Sequence, residues 1–141
     1  MHLMKLPKPT QWLNKLTKLN KFSKASHLVQ GSDAENLAEI YLHQQGLKTL
    51  ERNFRCKVGE IDLIMLHNEY LVFVEVRLRT HQLVNALETV DAKKQAKIIK
   101  TAQLYLQNHQ KFSERPCRFD VIGFDALQVD RIQWIKDAFQ T

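Results

Sequence analysis

The stretch VGEIDLIMLHNEYLVFVEVRL, residues 58–78, decides how this chain folds. Val72, Phe73, Val74 and Val76 are β-branched or aromatic and crowd into one run, as in a strand buried on both faces. A short polar turn around Asn68 separates that run from the strand-like segment 58–66, so the two read as a hairpin. An even loop, Asn68-Glu69 alone or residues 67–70, opposes Leu66 to Leu71, Ile64 to Phe73, Asp62 to Glu75 and Glu60 to Arg77. The other face then pairs Met65 with Val72, Leu63 with Val74 and Ile61 with Val76, and is wholly apolar. An odd loop would slip the strands by one residue and mix charge into both faces, so the even register is expected.

That register sets Asp62 against Glu75, two like charges in an apolar sheet, which is destabilising unless a cation lies between them. Two arrangements supply one. A divalent metal such as Mg²⁺ is held by one or two carboxylates, waters and phosphate oxygens, and a rigid strand positions such ligands well. Alternatively, Arg77, Glu60 and Arg79 form an ion-pair network that neutralises the acids without a metal.

Outward from the hairpin, Gly31 precedes SDAE, in which Ser32 and Glu35 have the S-x-x-E spacing of a capping box. An apolar periodicity (Leu37, Ala38, Tyr41, Leu42) follows and is expected to end at Gly46. Residues 47–55 have strand character. A long helix is expected over 84–108, burying Leu87, Val90, Ile98, Ala102 and Tyr105, with Lys93, Lys97 and Lys100 along one flank. Beyond Arg115-Pro116, strands are expected at 117–124 and 127–134. The order is α-β-β-β-α-β-β, an α/β class with a five-stranded sheet.

With 141 residues, the chain suits one domain. No apolar run approaches the length of a bilayer-spanning helix. Lys5, Lys8 and two prolines interrupt the N-terminus before a secretory h-region can form, so the expected location is cytoplasmic. Cys56 and Cys117 are far apart and lack a CxxC neighbour, which suits free thiols rather than a disulfide or zinc framework. The six histidines show no ligand spacing, and there is no Gly-rich phosphate loop. The net charge of +6 comes from residues 1–30, which hold six lysines and no acid, while residues 31–141 balance at 15 basic and 15 acidic groups. The high pI therefore reports a basic leader, either a solvated, disordered tail or an amphipathic helix, ahead of a charge-neutral domain at 31–141.

Several motifs in order, AExxAxxYL at 34–42, RN at 52–53, GEIDLI at 59–64, FVEVR at 73–77 and RFDVI at 118–122, resemble the YraN-like family of uncharacterised bacterial proteins. That family is similar to Holliday junction resolvases and to the restriction-endonuclease-like fold, whose site is written PD-(D/E)xK. The resemblance covers about residues 31–135. It implies a mixed five-stranded sheet flanked by helices and a metal-dependent nuclease. Asp62 and Glu75 would be metal ligands together with the Val76 carbonyl, Mg²⁺ or Mn²⁺ the ion, and Arg77 the basic residue of the motif. Glu35 corresponds to a first-helix acid that completes the cluster in related nucleases, or serves only as the capping-box glutamate. Glu60 would be an auxiliary ligand or the partner of Arg77. The sequence departs from the nuclease pattern at Arg77, where lysine is usual; arginine supplies charge but cannot act as a base.

The implied substrate is nucleic acid, DNA and in particular branched DNA, with a homodimer as in related resolvases and no membrane partner. Lys93, Lys97 and Lys100 either contact neighbouring phosphates or form a solvated helix face. The competing functions are nucleic-acid binding without catalysis, and an interaction module in which the nuclease-like domain is a scaffold.

Overall fold

The computed structural model describes residues 27–79, 86–125 and 132–141. The basic segment 1–26 and the beginning of the second strand expected after Pro116 lie outside the described residues. Within them, helix α1 (His27–Gln44) leads into strands β1 (Lys48–Arg55), β2 (Glu60–His67) and β3 (Tyr70–Arg79). A 3-10 turn (Ala86–Thr89) and helix α2 (Ala92–Asn108) follow. A second 3-10 turn (Gln110–Phe112) leads into β4 (Cys117–Asp125) and β5 (Ile132–Phe139). The expected order of helices and strands is the observed one.

The strands form one sheet in the order β1-β2-β3-β4-β5. All neighbours are antiparallel except β3 and β4, which run parallel from Leu71 opposite Cys117 to Arg79 opposite Asp125. A parallel pair needs a crossover connection, and α2 provides it.

Alternation along the central strands divides the core into two layers. Leu63, Met65, Val72, Val74, Ile122 and Phe124 face α1, where Ala34, Leu37, Ala38 and Leu42 recur at helical spacing and are buried. Ile64, Leu71, Phe73, Phe119 and Val121 face the opposite way, against Ile98, Ala102 and Tyr105 of α2. The sheet is thus sandwiched between helices, and β3 is apolar on both faces from Leu71 to Val74, where Glu75 begins its charged half.

The hairpin takes the even register, with Leu66 opposite Leu71, Ile64 opposite Phe73 and Leu63 opposite Val74. There the paired ladder ends. On the other side of β2, Asn53 of β1 adopts a left-handed φ of 52°, a conformation that asparagine tolerates better than most residues. Further along β2, Ile61 packs with the α2 layer and not with Leu63 as strict alternation required.

Three boundaries differ from expectation. Helix α1 begins at His27, so Gly31 and Ser32 lie within it and Ser32 is not its N-cap. The expected helix 84–108 is divided into the 3-10 turn and α2 because Asp91, at φ −71° and ψ 172°, caps α2 by accepting from Lys94 N at 2.8 Å. Strand β5 runs on to Phe139, well past residue 134, because Asp120 fixes its far half. The Asp120 carboxylate accepts from Trp134 Nε1 and from the Asp137 backbone N–H, both at 3.0 Å.

Candidate active site

The functional candidates gather where β2 leaves β3. Beyond Leu63 and Val74, the Val76 N–H donates to Asp62 Oδ2 at 2.8 Å, so a side chain continues the pairing that the backbone has given up. This ties Asp62 to β3 next to Glu75. Both acids are buried, Asp62 at 9% and Glu75 at 5% exposure. From α1, Glu35 reaches the same point and hydrogen-bonds the side chains of Asn53 and Asp62. Carboxylate oxygens of Glu35, Glu60 and Asp62 lie within 4.8 Å of one another.

Burial and crowding raise two of these acids, Asp62 and Glu35. Burial pushes Asp62 up to about 8, and the negative charges of Glu75, Glu35 and Glu60 add to that, against the lowering effect of the Val76 hydrogen bond. Glu35 is also raised, first by burial and then by Glu60, while its bonds to Asn53 and Asp62 and the charge of Arg52 oppose the shift. Two carboxyl groups share a hydrogen bond when one of them carries a proton, so a raised Asp62 beside Glu35 is self-consistent.

Glu75 is neutralised differently. Its Oε1 pairs with Lys94 Nζ at 2.9 Å and with Arg77 NH1 at 3.6 Å. Arg77 also donates from Nε to Thr89 Oγ1 at 3.0 Å. Glu60 pairs with Arg55 at 3.0 Å and not with Arg77. Lys94 was not singled out in the sequence because Lys93, Lys97 and Lys100 share the solvent flank of α2. A signal was present: Lys94, Ile98, Thr101 and Tyr105 follow helical spacing, and all but Lys94 are buried. A lysine extending a buried stripe implies an acid beneath it.

A cleft of about 500 Å³ opens over the cluster, lined by Glu60, Asp62 and Glu75 on the sheet side and by Asp91, Lys93, Lys94 and Lys97 on the α2 side. Lys93 and Lys97 are exposed; Lys100, also exposed, lies further along α2, away from this lining. Gly59 belongs to the lining because it must: a Cβ there would stand 2.9 Å from Thr101 Oγ1 and 3.7 Å from the Lys97 carbonyl oxygen. The glycine of the GEID motif therefore lets β2 approach α2 closely enough to form one cleft.

The donor set fits a hard divalent cation. Every candidate ligand is a carboxylate or backbone carbonyl oxygen, the chemistry that Mg²⁺ and Mn²⁺ favour, and an ion among them would offset the burial and repulsion that raise Asp62. Asp62 is common to both ligand sets: the expected one with Glu75 and the Val76 carbonyl, and the group with Glu35 and Glu60 that the fold brings together.

Fold and site together define a mixed α/β domain with a carboxylate cleft walled by lysines. The chain belongs to the uncharacterised protein family UPF0102, whose model matches residues 34–124. It is 49% identical over 113 residues to a UPF0102 protein of Stutzerimonas stutzeri, covering 79% of this chain and 94% of the relative. It is 51% identical over 112 residues to one from Alcanivorax borkumensis, covering 77% and 90%. A Pseudomonas aeruginosa relative is 45% identical over 114 residues, covering 78% and 91%. Among the described residues, no helix is long and apolar enough to cross a membrane.

Proposed function

We propose that this protein is a metal-dependent phosphodiesterase acting on nucleic acid, DNA in the first instance, with its active site in the cleft between β2, β3 and α2. The observation that carries the reading is the burial of Asp62 and Glu75 side by side under a lysine-lined opening. Crowded carboxylates are costly to fold around, and a cleft that also exposes Lys93 and Lys97 offers attraction to a polyanion.

In this reading Asp62, with Glu35 and Glu60 or with Glu75 and the Val76 carbonyl, holds Mg²⁺ or Mn²⁺. Bound there, the ion supplies Lewis acidity toward a phosphate oxygen. The chain's own residues do the rest. Lys93 and Lys97 draw the backbone phosphates toward the mouth of the cleft. Arg77 adds positive charge beside Glu75. The tie from Val76 N–H to Asp62 keeps one ligand on a fixed strand. Similarity to resolvase-like nucleases, read from the GEID and FVEVR motifs, favours the same activity and makes branched DNA the first substrate to try.

The test is cleavage of duplex, single-stranded and four-way-junction DNA by the full chain with Mn²⁺ or Mg²⁺, beside Asp62→Asn and Glu75→Gln. The expected result is metal-dependent cleavage lost in both variants. Cleavage that survives both would assign the activity to something other than this cleft.

One observation favours a second reading. Glu75 already has cationic partners in Lys94 and Arg77, as a structural network without catalysis would require. That reading gives salt-sensitive DNA binding that persists in Asp62→Asn, with no cleavage in the wild type.

A further inference from the structure

We propose that Lys94, and not Arg77, is the cation that meets the reacting phosphate; the inference rests on the phosphodiesterase reading above. In phosphodiester hydrolysis the oxygen of water bonds to phosphorus and the P–O bond to the leaving sugar oxygen breaks. The proton released by the water reaches that oxygen by way of solvent. Negative charge builds on the phosphoryl oxygens along the way, and a preorganised cation aimed at them lowers the barrier.

Two cations touch Glu75, and the fold commits them differently. Arg77 lies two residues further along β3, and its guanidinium donates to Thr89 Oγ1, which in turn donates to the Ala86 carbonyl at 2.6 Å. Arg77 thus fastens the 3-10 turn to the sheet and does not line the cleft. Lys94 does line it, together with Asp62, Glu60 and Glu75. Its side chain is 41% exposed, so its ammonium can leave Glu75 for an incoming anion while its backbone stays pinned by Asp91.

The placement is also wrong for helix stability alone. Lys93 and Lys94 occupy the first turn of α2, which carries no acid, and cations there oppose the helix dipole. The lysine that the strand motif lacks at position 77 is supplied from the following helix.

The experiment compares wild type, Lys94→Met, Lys94→Arg and Arg77→Met of the full chain. It measures Mn²⁺-dependent cleavage of the same DNA substrates, Mn²⁺ affinity by calorimetry, and melting temperature. Lys94→Met should lower kcat about 100-fold, the scale for losing one preorganised transition-state donor. It should bind Mn²⁺ as tightly as wild type or more tightly, because a competing cation has gone. Lys94→Arg should keep the Glu75 ion pair and the melting temperature yet cleave about 10-fold more slowly, since a guanidinium does not reproduce a compact ammonium. Arg77→Met should lower the melting temperature and reduce kcat by less than Lys94→Met does.

Full activity in Lys94→Arg overturns the assignment, because ion pairing with Glu75 would then be all that position 94 provides. A larger loss of kcat in Arg77→Met than in Lys94→Met overturns it as well. A wild type that binds Mn²⁺ but cleaves no substrate overturns the phosphodiesterase reading, and this assignment with it, while leaving the metal site standing.

Discussion

Asp62 and Asp120 are both buried aspartates on strands of the same sheet, and their surroundings are opposites. Asp120, wholly buried, receives both oxygens' worth of donors: Arg118 at 2.9 and 3.0 Å, Trp134 Nε1 and the Asp137 N–H. Asp62 has the Val76 N–H and its bond to Glu35, and otherwise faces the negative charge of Glu75, Glu35 and Glu60. One carboxylate is satisfied by the fold and holds β4 to β5. The other is crowded by its own kind and opens onto a cleft. The difference marks Asp120 as an acid satisfied within the fold and, on the phosphodiesterase reading, Asp62 as the one that a bound cation would satisfy.

The comparison breaks first at Asp120. Asp120→Ala removes the carboxylate from half-buried Arg118 and orphans Trp134 Nε1 and the Asp137 N–H, and should cost about 3–5 kcal/mol, read as a large fall in the denaturant midpoint. A loss below about 1 kcal/mol would mean that the network is not what fixes β5.

Asp62 should respond in the opposite direction. Folded Asp62 keeps its proton up to about pH 8, whereas an unfolded carboxyl loses it near 3.8. Between those values the native state binds the extra proton. Its contribution to stability is therefore complete below about pH 4 and lost as pH rises toward 8. Asp62→Asn has no charge to gain and should make the metal-free protein more stable at pH 8 by about 1–3 kcal/mol, with a smaller gain at pH 5. Equal effects at the two pH values, or destabilisation at both, would show that Asp62 is as well satisfied as Asp120.

A smaller effect sharpens the geometry of the cleft. Gly59→Ala forces a Cβ toward Thr101 Oγ1, itself held by the Lys97 carbonyl at 2.7 Å, and should cost about 1–3 kcal/mol. Adding Thr101→Ala should recover part of that loss, because it removes the atom the new Cβ meets. No recovery would place the strain elsewhere along β2.

Much of this was legible in the sequence because alternation is local. Residues 63–66 and 71–74 announce their register through side-chain type alone, and Asp62 and Glu75 stand out as acids inside apolar runs. What escaped the sequence reading depended on contacts between elements. Lys94 is one lysine among several in AKKQAK; its place on the stripe of Ile98, Thr101 and Tyr105 sets it apart from Lys93 and Lys97, but only the helix's position over β3 supplies its partner, Glu75. Ile61 breaks the alternation of β2 by packing in the α2 layer, and periodicity carries no record of that. Glu35 read equally well as a capping-box residue; with α1 beginning at His27, Ser32 lies within the helix, and the packing of α1 on the sheet brings Glu35 to Asp62.

The most direct test is a calorimetric titration of Mn²⁺ into the full chain and into Asp62→Asn at pH 7, in two buffers of different ionisation enthalpy. The crowded-carboxylate account predicts binding by the wild type, abolished in Asp62→Asn, with buffer-dependent heat as the ion displaces the proton held by Asp62. Binding of equal strength in Asp62→Asn, or binding that releases no proton, would contradict it.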